Sequence, residues 1–318
     1  MRNDDISSRM QETQNISNGT RITTGYLLGI IAAISYGTNP LFAVPLYEAG
    51  LSVMSVLFYR YAFASLILGV IMLIRKESFR VNKVEILFLV MMGIMFALSS
   101  LLLFESYTYM DVGIASTMLF MEPVFIAVIM VILYHERLNA VMVTAIVVSA
   151  IGMICLCNPG EGAEVTAIGV IFVMLSSISY AVYMIAINKS RVGRLSGTRI
   201  TFYSLLFGQI VFGTFTHGFL DVQPIPTDNV LAIICVIGLS VVPTIVSLLT
   251  VAVSVKLVGS VIVAILGALE PVTGVLVGTL VFGEVITIRV AIGIVLILSS
   301  VIVLILFRKK RPRQQIGN

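Results

Sequence analysis

Charged side chains are scarce in this sequence: 20 Lys and Arg with 16 Asp and Glu make 11% of 318 residues. A soluble globular domain carries about 25%. With 58% hydrophobic residues and a mean hydropathy of +1.07, the chain falls outside that class. Histidine is limited to His135 and His217. The segment HERLN at 135–139 begins like the zinc-protease pattern H-E-x-x-H, but Asn139 stands where the second ligand is needed, so no metal site is expected. The cysteines, Cys155, Cys157 and Cys235, have neither metal-ligand nor redox spacing and lie at or near the ends of apolar runs, where membrane packing accounts for them. A phosphate-binding G-x-x-x-x-G-K-[ST] is missing, so transport would draw on a gradient or on another chain, and no cofactor is expected. The first 25 residues also lack the short apolar core and small-residue cleavage site of a secretory signal, and the first apolar run is expected to stay as an anchor.

Long apolar runs are what the chain has instead. About 20 apolar residues cross a hydrocarbon core of about 30 Å, and such runs fall at about 26–46, 52–74, 84–107, 112–134, 140–156, 167–187, 200–220, 230–254, 259–282 and 287–307. The expected fold class is an all-α membrane protein of ten transmembrane helices in a bacterial or archaeal cytoplasmic membrane, with no room for a soluble catalytic domain. Short loops rich in Lys and Arg stay on the cytoplasmic side. With both termini there, the tails 1–24 and 308–318 and the even-numbered connections hold every Lys and Arg except Arg60 and Arg289. The outer connections collect Glu48, Asp111, Glu161, Glu164, Asp221, Asp228 and Glu284. The net charge of +4 is therefore a topology signal facing lipid headgroups, and no nucleic-acid partner is expected.

The sequence also repeats itself. LEPV at 269–272 sets a carboxylate beside a proline within an apolar run, and MEPV at 121–124 does the same. Superposing them takes a shift of 148 residues, which carries Glu136 onto Glu284 and Asn139 onto Thr287, both favourable helix N-caps. A shift of 144 carries ISY at 34–36 onto 178–180 and FY at 58–59 onto 202–203. The chain reads as two five-span repeats, 25–156 and 165–307. An odd number of spans makes the second repeat enter the membrane from the opposite side, the inverted arrangement from which alternating access around a midplane site follows.

YTYMDVGIASTMLFMEPVFIAVIMVILYHERLN at 107–139, followed by AIVVSAIGMICL at 145–156, resembles the EamA-type repeat of the drug/metabolite transporter superfamily. ALEPVTGVLVGTLVFGEVIT at 268–287 with AIGIVLIL at 291–298 is similar again. Pro123 and Pro271 match the repeat's proline, and Glu136 and Glu284 its terminal glutamate. SYGTNP at 35–40 is similar to the family's aromatic-Gly-x-x-Pro break in span one, with Tyr36 where Trp is commoner. His135 stands where the first repeat usually has Gly. The resemblance covers essentially the whole membrane region and implies a ten-helix basket that exports or imports small organic metabolites.

Arg60, Glu105, Glu122 and Glu270 are the ionisable groups inside the spans. Each costs a few kcal/mol if it faces lipid, so they are expected to face the interior, or, for Glu105 near the outer end of its span, to reach water. At about 1.5 Å per residue, Arg60 and Glu122 lie roughly 12 and 15 Å below the outer ends of their spans, and these depths suit a pair. Span seven offers Ser204 where span two has Arg60, which leaves Glu270 to titrate, to receive a substrate ammonium, or to sit protonated within the bundle. Pro123 and Pro271 free the carbonyls of Leu119 and Gly267 as acceptors for such a proton. Tyr36, Tyr59, Tyr61, Tyr180, Tyr183 and Tyr203 stand in spans, where rings with a polar tip suit either a ligand cavity or plain packing. Tyr26, Tyr47 and Tyr134 are expected at the membrane interface. Thr38, Asn39 and Pro40 form a polar kink in span one, a gate hinge or a packing irregularity, and Pro243 with Thr244 kinks span eight. The glycines of span nine, among them Gly267, Gly274 and Gly278, permit close helix approach.

The function expected is proton-linked export of an amino acid or similar amphipathic compound, with Arg60 on a carboxylate and Glu270 on an amine. An importer or flippase-like carrier of a nucleoside, vitamin or lipid-linked substrate has the same fold, and a membrane enzyme or scaffold is the remote alternative. The partners expected are the small-molecule substrate, the bilayer and protons, and a homodimer is compatible with the fold.

Overall fold

A computed structural model describes residues 2–106, 109–110, 115, 118–156, 166–215, 221–226, 229–283 and 286–307. Asp111, Cys157, Glu161, Glu164, His217, Asp228, Glu284, most of the opening of expected span four and the tail 308–318 lie outside the described residues. The described residues are helical, with no extended strand among them. In chain order the helices are α1 (Arg2–Gly37), α2 (Asn39–Glu48), α3 (Val53–Ile74), α4 (Lys83–Ser106), α5 (Glu122–Tyr134), α6 (Ala140–Leu156), α7 (Ala167–Lys189) and α8 (Gly197–Phe215). They continue with α9 (Val230–Ser240), a π-helical turn (Val241–Val246), α10 (Ser247–Val258), α11 (Ser260–Leu266), α12 (Leu269–Phe282) and α13 (Ile288–Leu306). Among the described residues, seven helical stretches are long and apolar enough to cross a membrane: Thr20–Glu48, Val53–Ile74, Lys83–Leu103, Ala167–Lys189, Val230–Val258, Ser260–Val281 and Ile288–Leu306. Helices α5 and α6 are apolar but shorter, and α8 falls on expected span seven.

Proline decides where these helices break. It has no N–H for the carbonyl four residues back, and its ring crowds that carbonyl; a buried carbonyl so freed needs another donor. Pro40 frees Tyr36 O, which accepts from Asn39 Nδ2 at 2.7 Å. Pro123 frees Leu119 O, which accepts from Ser177 Oγ at 3.2 Å. Pro243 frees Leu239 O, which accepts from Thr244 Oγ1 at 2.8 Å. Pro271 frees Gly267 O, which accepts from the Glu270 N–H at 2.9 Å. The interruptions fall within helical stretches that otherwise run on, Thr20–Glu48, Val230–Val258 and Ser260–Val281. The chain stops at Gly37 and again at Leu266, and α2, α5 and α12 start afresh with proline in their first turn, where a missing N–H costs nothing.

The last turns of α5 and α12 also match. Both end on a left-handed residue, His135 at φ 50° and Gly283 at φ 72°. That conformation suits glycine and strains a β-carbon. His135→Gly should therefore raise stability by about 0.5–1 kcal/mol, and Gly283→Ala should lower it by about 1 kcal/mol. Denaturation midpoints in detergent check both signs; a loss on His135→Gly would mean the imidazole holds this corner by some other contact.

Helix pairing respects the repeat. In the first repeat α1 packs on α10 and α12; in the second its counterpart α7 packs on α4 and α5. Helix α3 meets α9 as α8 meets α4, while the pairs α3 with α8, α5 with α11 and α6 with α13 join equivalent elements. Exchanging the two halves maps this set of contacts onto itself. Side-chain bonds then gather the connections. Tyr203 Oη donates to Phe79 O at 2.7 Å, Ser196 Oγ to Glu77 Oε2 at 3.3 Å and Lys256 Nζ to Leu195 O, while Lys189 pairs with Glu136 at 3.7 Å. These bonds bring the connections near 75–83, 135–139, 189–199 and 256–259 to one basic end. Elsewhere Gln223 ties the 49–55 segment, accepting from Tyr59 Oη at 2.8 Å and from Ser52 N and donating to Ser55 Oγ at 2.9 Å.

Candidate functional site

Three helix breaks meet around one cavity of about 260 Å³. Tyr36, Gly37, Asn39 and Pro40 come from the α1–α2 break; Leu119, Phe120, Glu122 and Pro123 from the start of α5; Gly267, Glu270, Pro271 and Gly274 from the α11–α12 break. Tyr180 and Met184 of α7, Met153 of α6 and Val251 of α10 complete much of the wall. Each carboxylate lies in the first turn of its helix, where the positive end of the helix dipole favours an acidic group. The breaks therefore place both glutamates at one cavity from opposite halves of the sequence.

The wall is acidic. No Lys, Arg or His lines it among the described residues, and neither glutamate side chain hydrogen-bonds or ion-pairs with a described side chain. The two carboxylates are close enough for their charges to act on each other. Like charges in a low-dielectric cavity repel, so the site is balanced when a proton or a bound ammonium offsets one of them.

Arg60 stands behind this wall. It is buried, and its Nε donates to Thr244 Oγ1 at 2.6 Å while Nη2 donates to Pro243 O at 3.4 Å. The Thr244 hydroxyl in turn donates to Leu239 O, the carbonyl freed by Pro243. The guanidinium carbon lies 5.3 Å from the centre of the Tyr36 ring, within cation–π range. The expected Arg60–Glu122 pair is not formed: no ion pair joins them among the described residues. Matching depths fix position along an axis but not the direction a side chain faces, and this one faces the π-helical turn.

Losing the guanidinium would strip Thr244 and the Pro243 carbonyl of a donor. Charge-assisted bonds of this kind contribute about 1.5–3 kcal/mol each, partly offset by the cost of holding a cation in the bilayer. Arg60→Met should lower stability by about 2 kcal/mol, and Arg60→Lys should recover little, because a single ammonium does not reproduce the planar fork. Full rescue by lysine, read from denaturation midpoints, would show that charge alone matters there.

Of the span tyrosines, Tyr36 and Tyr180 face the cavity and the others do not. Tyr61 is fully buried, with its ring 4.9 Å from Phe212 and its hydroxyl 3.3 Å from Ser100 Oγ. Tyr183 is core, 5.1 Å from Phe96. Tyr59 and Tyr203 use their hydroxyls to hold Gln223 and Phe79 at the ends of the bundle. Tyr26, expected at the interface, is buried in the main core. Pro243 lines no part of the cavity but anchors Arg60. Two contributors went unread in the sequence, Ser177, which supplies the donor for Leu119 O, and Gly37; Thr244, read beside Pro243 as part of a kink, also links Arg60 to the π turn. A β-carbon on Gly37 would lie within 2.4 Å of Glu270 O, so only glycine lets α1 come this close to the α11–α12 break. Close approach had been expected from the glycines of span nine, whereas Gly259 and Gly283 sit at helix boundaries with positive φ.

The sequence matches the EamA-like transporter family twice, over residues 23–157 and 167–306. It is 31% identical over 193 residues to an uncharacterized transporter of Archaeoglobus fulgidus, covering 61% of this chain and 67% of that one. It is 24% identical over 196 residues to an uncharacterized transporter of Clostridium kluyveri, covering 58% of this chain and 62% of that one. The fold superposes on a solved crystal structure with a TM-score of 0.76 at 17% identity, covering 89% of this chain and 97% of the other.

Proposed function

This chain belongs to the EamA-like transporter family, and we propose that it is a ten-span secondary transporter that exports a small amphipathic amine in exchange for protons. The observation that carries the reading is the meeting of Glu122 and Glu270, one from each repeat, at a cavity whose wall holds no cation among the described residues. A proton and a substrate ammonium offset the same charge, so they compete for the site, and competition of that kind is what couples two fluxes across alternating states. The volume of about 260 Å³ is below the 300–1,000 Å³ typical of drug-sized pockets, which favours a metabolite. An amino acid fits on its ammonium side. Its carboxylate would not rest on Arg60, which spends two donors on Thr244 and Pro243 and is not among the residues lining the cavity.

The basic end, where the connections carrying Arg75, Lys76, Arg80, Lys83, Arg137, Lys189, Arg191, Arg194, Arg199 and Lys256 gather, supports a cytoplasmic placement of that end and of both termini. The inverted relation of the repeats follows from that placement, and the membrane is a cytoplasmic one of bacterial or archaeal type. A metabolite screen for thermal stabilisation of the purified protein supplies the substrate. In proteoliposomes an imposed pH gradient should then drive its flux; a flux indifferent to the gradient would remove the proton from the reading.

A further inference from the structure

A second cavity of about 270 Å³ lies at the basic end, and the transport cycle just described makes no use of it. Arg137, Lys256, Asn139 and Asn188 supply its charged and amide side chains, and no acidic residue lines it among the described residues. The nearest carboxylate in sequence, Glu136, faces Lys189 at 3.7 Å instead. Lys256 spends one hydrogen on Leu195 O and keeps two. Asn139 uses its Oδ1 to cap the Met142 N–H at 2.7 Å, which leaves its NH₂ free to donate. The charge of Arg199, whose buried Nε has no partner among the described residues, adds to that of Lys256. Positive charge and donors therefore converge on a space that no described carboxylate lines.

The rest of the wall is apolar, and it ends at Phe307, 64% exposed beside the 71% exposed Leu306 at the end of α13. A polar pocket that grades into an exposed apolar helix end suits an amphipathic anion better than a fully hydrated one. We propose that this cavity binds the headgroup phosphate of an anionic phospholipid, with Arg137 and Lys256 on the phosphate, Asn139 and Asn188 donating to its oxygens, and an acyl chain against Phe307. Basic pockets between membrane helices are suited to such headgroups.

The site has a mechanical consequence, because it shares α1, α10 and α11 with the transport cavity. Tyr26 borders the lipid site and Gly29 the transport cavity, about one turn apart on α1, and Val255 and Val251 stand in the same relation on α10. Between α10 and α11 the chain turns through Gly259 at φ 94°. A lipid held against this joint would stabilise the arrangement seen here, in which buried Tyr26, Val255 and Val258 pack between the two cavities.

Thermal unfolding of the purified full chain in a zwitterionic detergent tests the proposal, using short-chain phosphatidylglycerol, short-chain phosphatidylcholine and inorganic phosphate at equal concentration. Phosphatidylglycerol should raise the melting temperature by several degrees, less at high salt, and phosphatidylcholine should not. Arg137→Gln changes an exposed side chain, so the fold is kept and the shift should shrink; adding Lys256→Gln should remove most of what remains. An equal shift in wild type and the double variant, or an equal shift from the two lipids, would overturn the site. Inorganic phosphate matching phosphatidylglycerol would overturn the lipid assignment in favour of a soluble anion.

Discussion

Glu270→Gln is expected to abolish the dependence of substrate flux on an imposed pH gradient, with gradient-driven transport falling by about 5- to 150-fold. That range corresponds to a coupling free energy of about 1–3 kcal/mol between proton and substrate. Glutamine preserves the volume and shape of the side chain, so the cavity and its affinity for neutral parts of a ligand should survive, while the exchangeable proton and the negative charge are lost. Because Glu122 shares the cavity and repels Glu270, Glu122→Gln should cost a similar factor. The double variant should be little worse than either single one, the non-additivity expected of groups that act as a unit. The decisive pattern is the comparison among the three. A Glu122→Gln protein that remains fully coupled while Glu270→Gln is uncoupled would reduce the site to one working carboxylate. Two independent, multiplying losses would separate the residues into different steps.

The sequence made the repeat legible because the Glu-Pro pairs, the N-caps and the aromatic pairs recur at nearly fixed shifts, and the contacts between helices follow the same exchange. It also made Glu122, Glu270, Tyr36, Asn39, Pro40, Pro123 and Pro271 stand out, and these seven residues all line one cavity. What it could not convey was azimuth. Arg60 and Glu122 lie at matching depths, yet α3 turns Arg60 toward Thr244, and a one-dimensional count of residues from a span's end contains nothing about that rotation. Azimuth also divides the tyrosines, of which Tyr36 and Tyr180 line the cavity while Tyr59, Tyr61, Tyr183 and Tyr203 do not. Tyr59 and Tyr203 stand at equivalent positions of the two repeats, and in both the hydroxyl holds a connection at an end of the bundle while the ring lies outside the cavity lining. Polar tips on buried rings need a partner, and a backbone carbonyl at a helix end serves as well as a ligand.

The prolines carried more information than their helix-breaking character. Each orphans the carbonyl four residues back, so each implies a donor close by, and three of the four donors found, the side chains of Asn39 and Thr244 and the Glu270 N–H, stand immediately beside the proline. That local pairing was readable, and it separates a helix break built to last from a strained kink. Ser177 was not readable, because it reaches Leu119 O from the other half of the chain. Pro123 has no Ser, Thr or Asn at its side, and there the donor comes from tertiary packing.

Gly37→Ala should be the most damaging single-atom addition near the cavity. Its β-carbon would come within 2.4 Å of Glu270 O and 2.5 Å of Thr273 Cβ, and neither neighbour yields easily. The carbonyl belongs to the backbone of a break fixed by Pro271, and Thr273 is held by its own hydroxyl donating to Leu269 O at 3.0 Å. Helix α1 would have to retreat from the break by about 1 Å, at an overpacking cost of about 1–3 kcal/mol. The loss in transport should be larger than the loss in stability, because the displaced backbone carries Tyr36 on one side and Glu270 on the other, and a misplacement of about 1 Å is enough to spoil a preorganised site. The second repeat provides the control: the position equivalent to Gly37 is Ala181, fully buried, where the related contact between α7 and α5 already tolerates a β-carbon and is fastened by Ser177. Ala181→Gly should therefore cost about 1 kcal/mol of stability and leave coupled transport nearly intact. If Gly37→Ala transported and melted like the wild type, the close approach of α1 to the α11–α12 break would not be what holds the two carboxylates at one cavity.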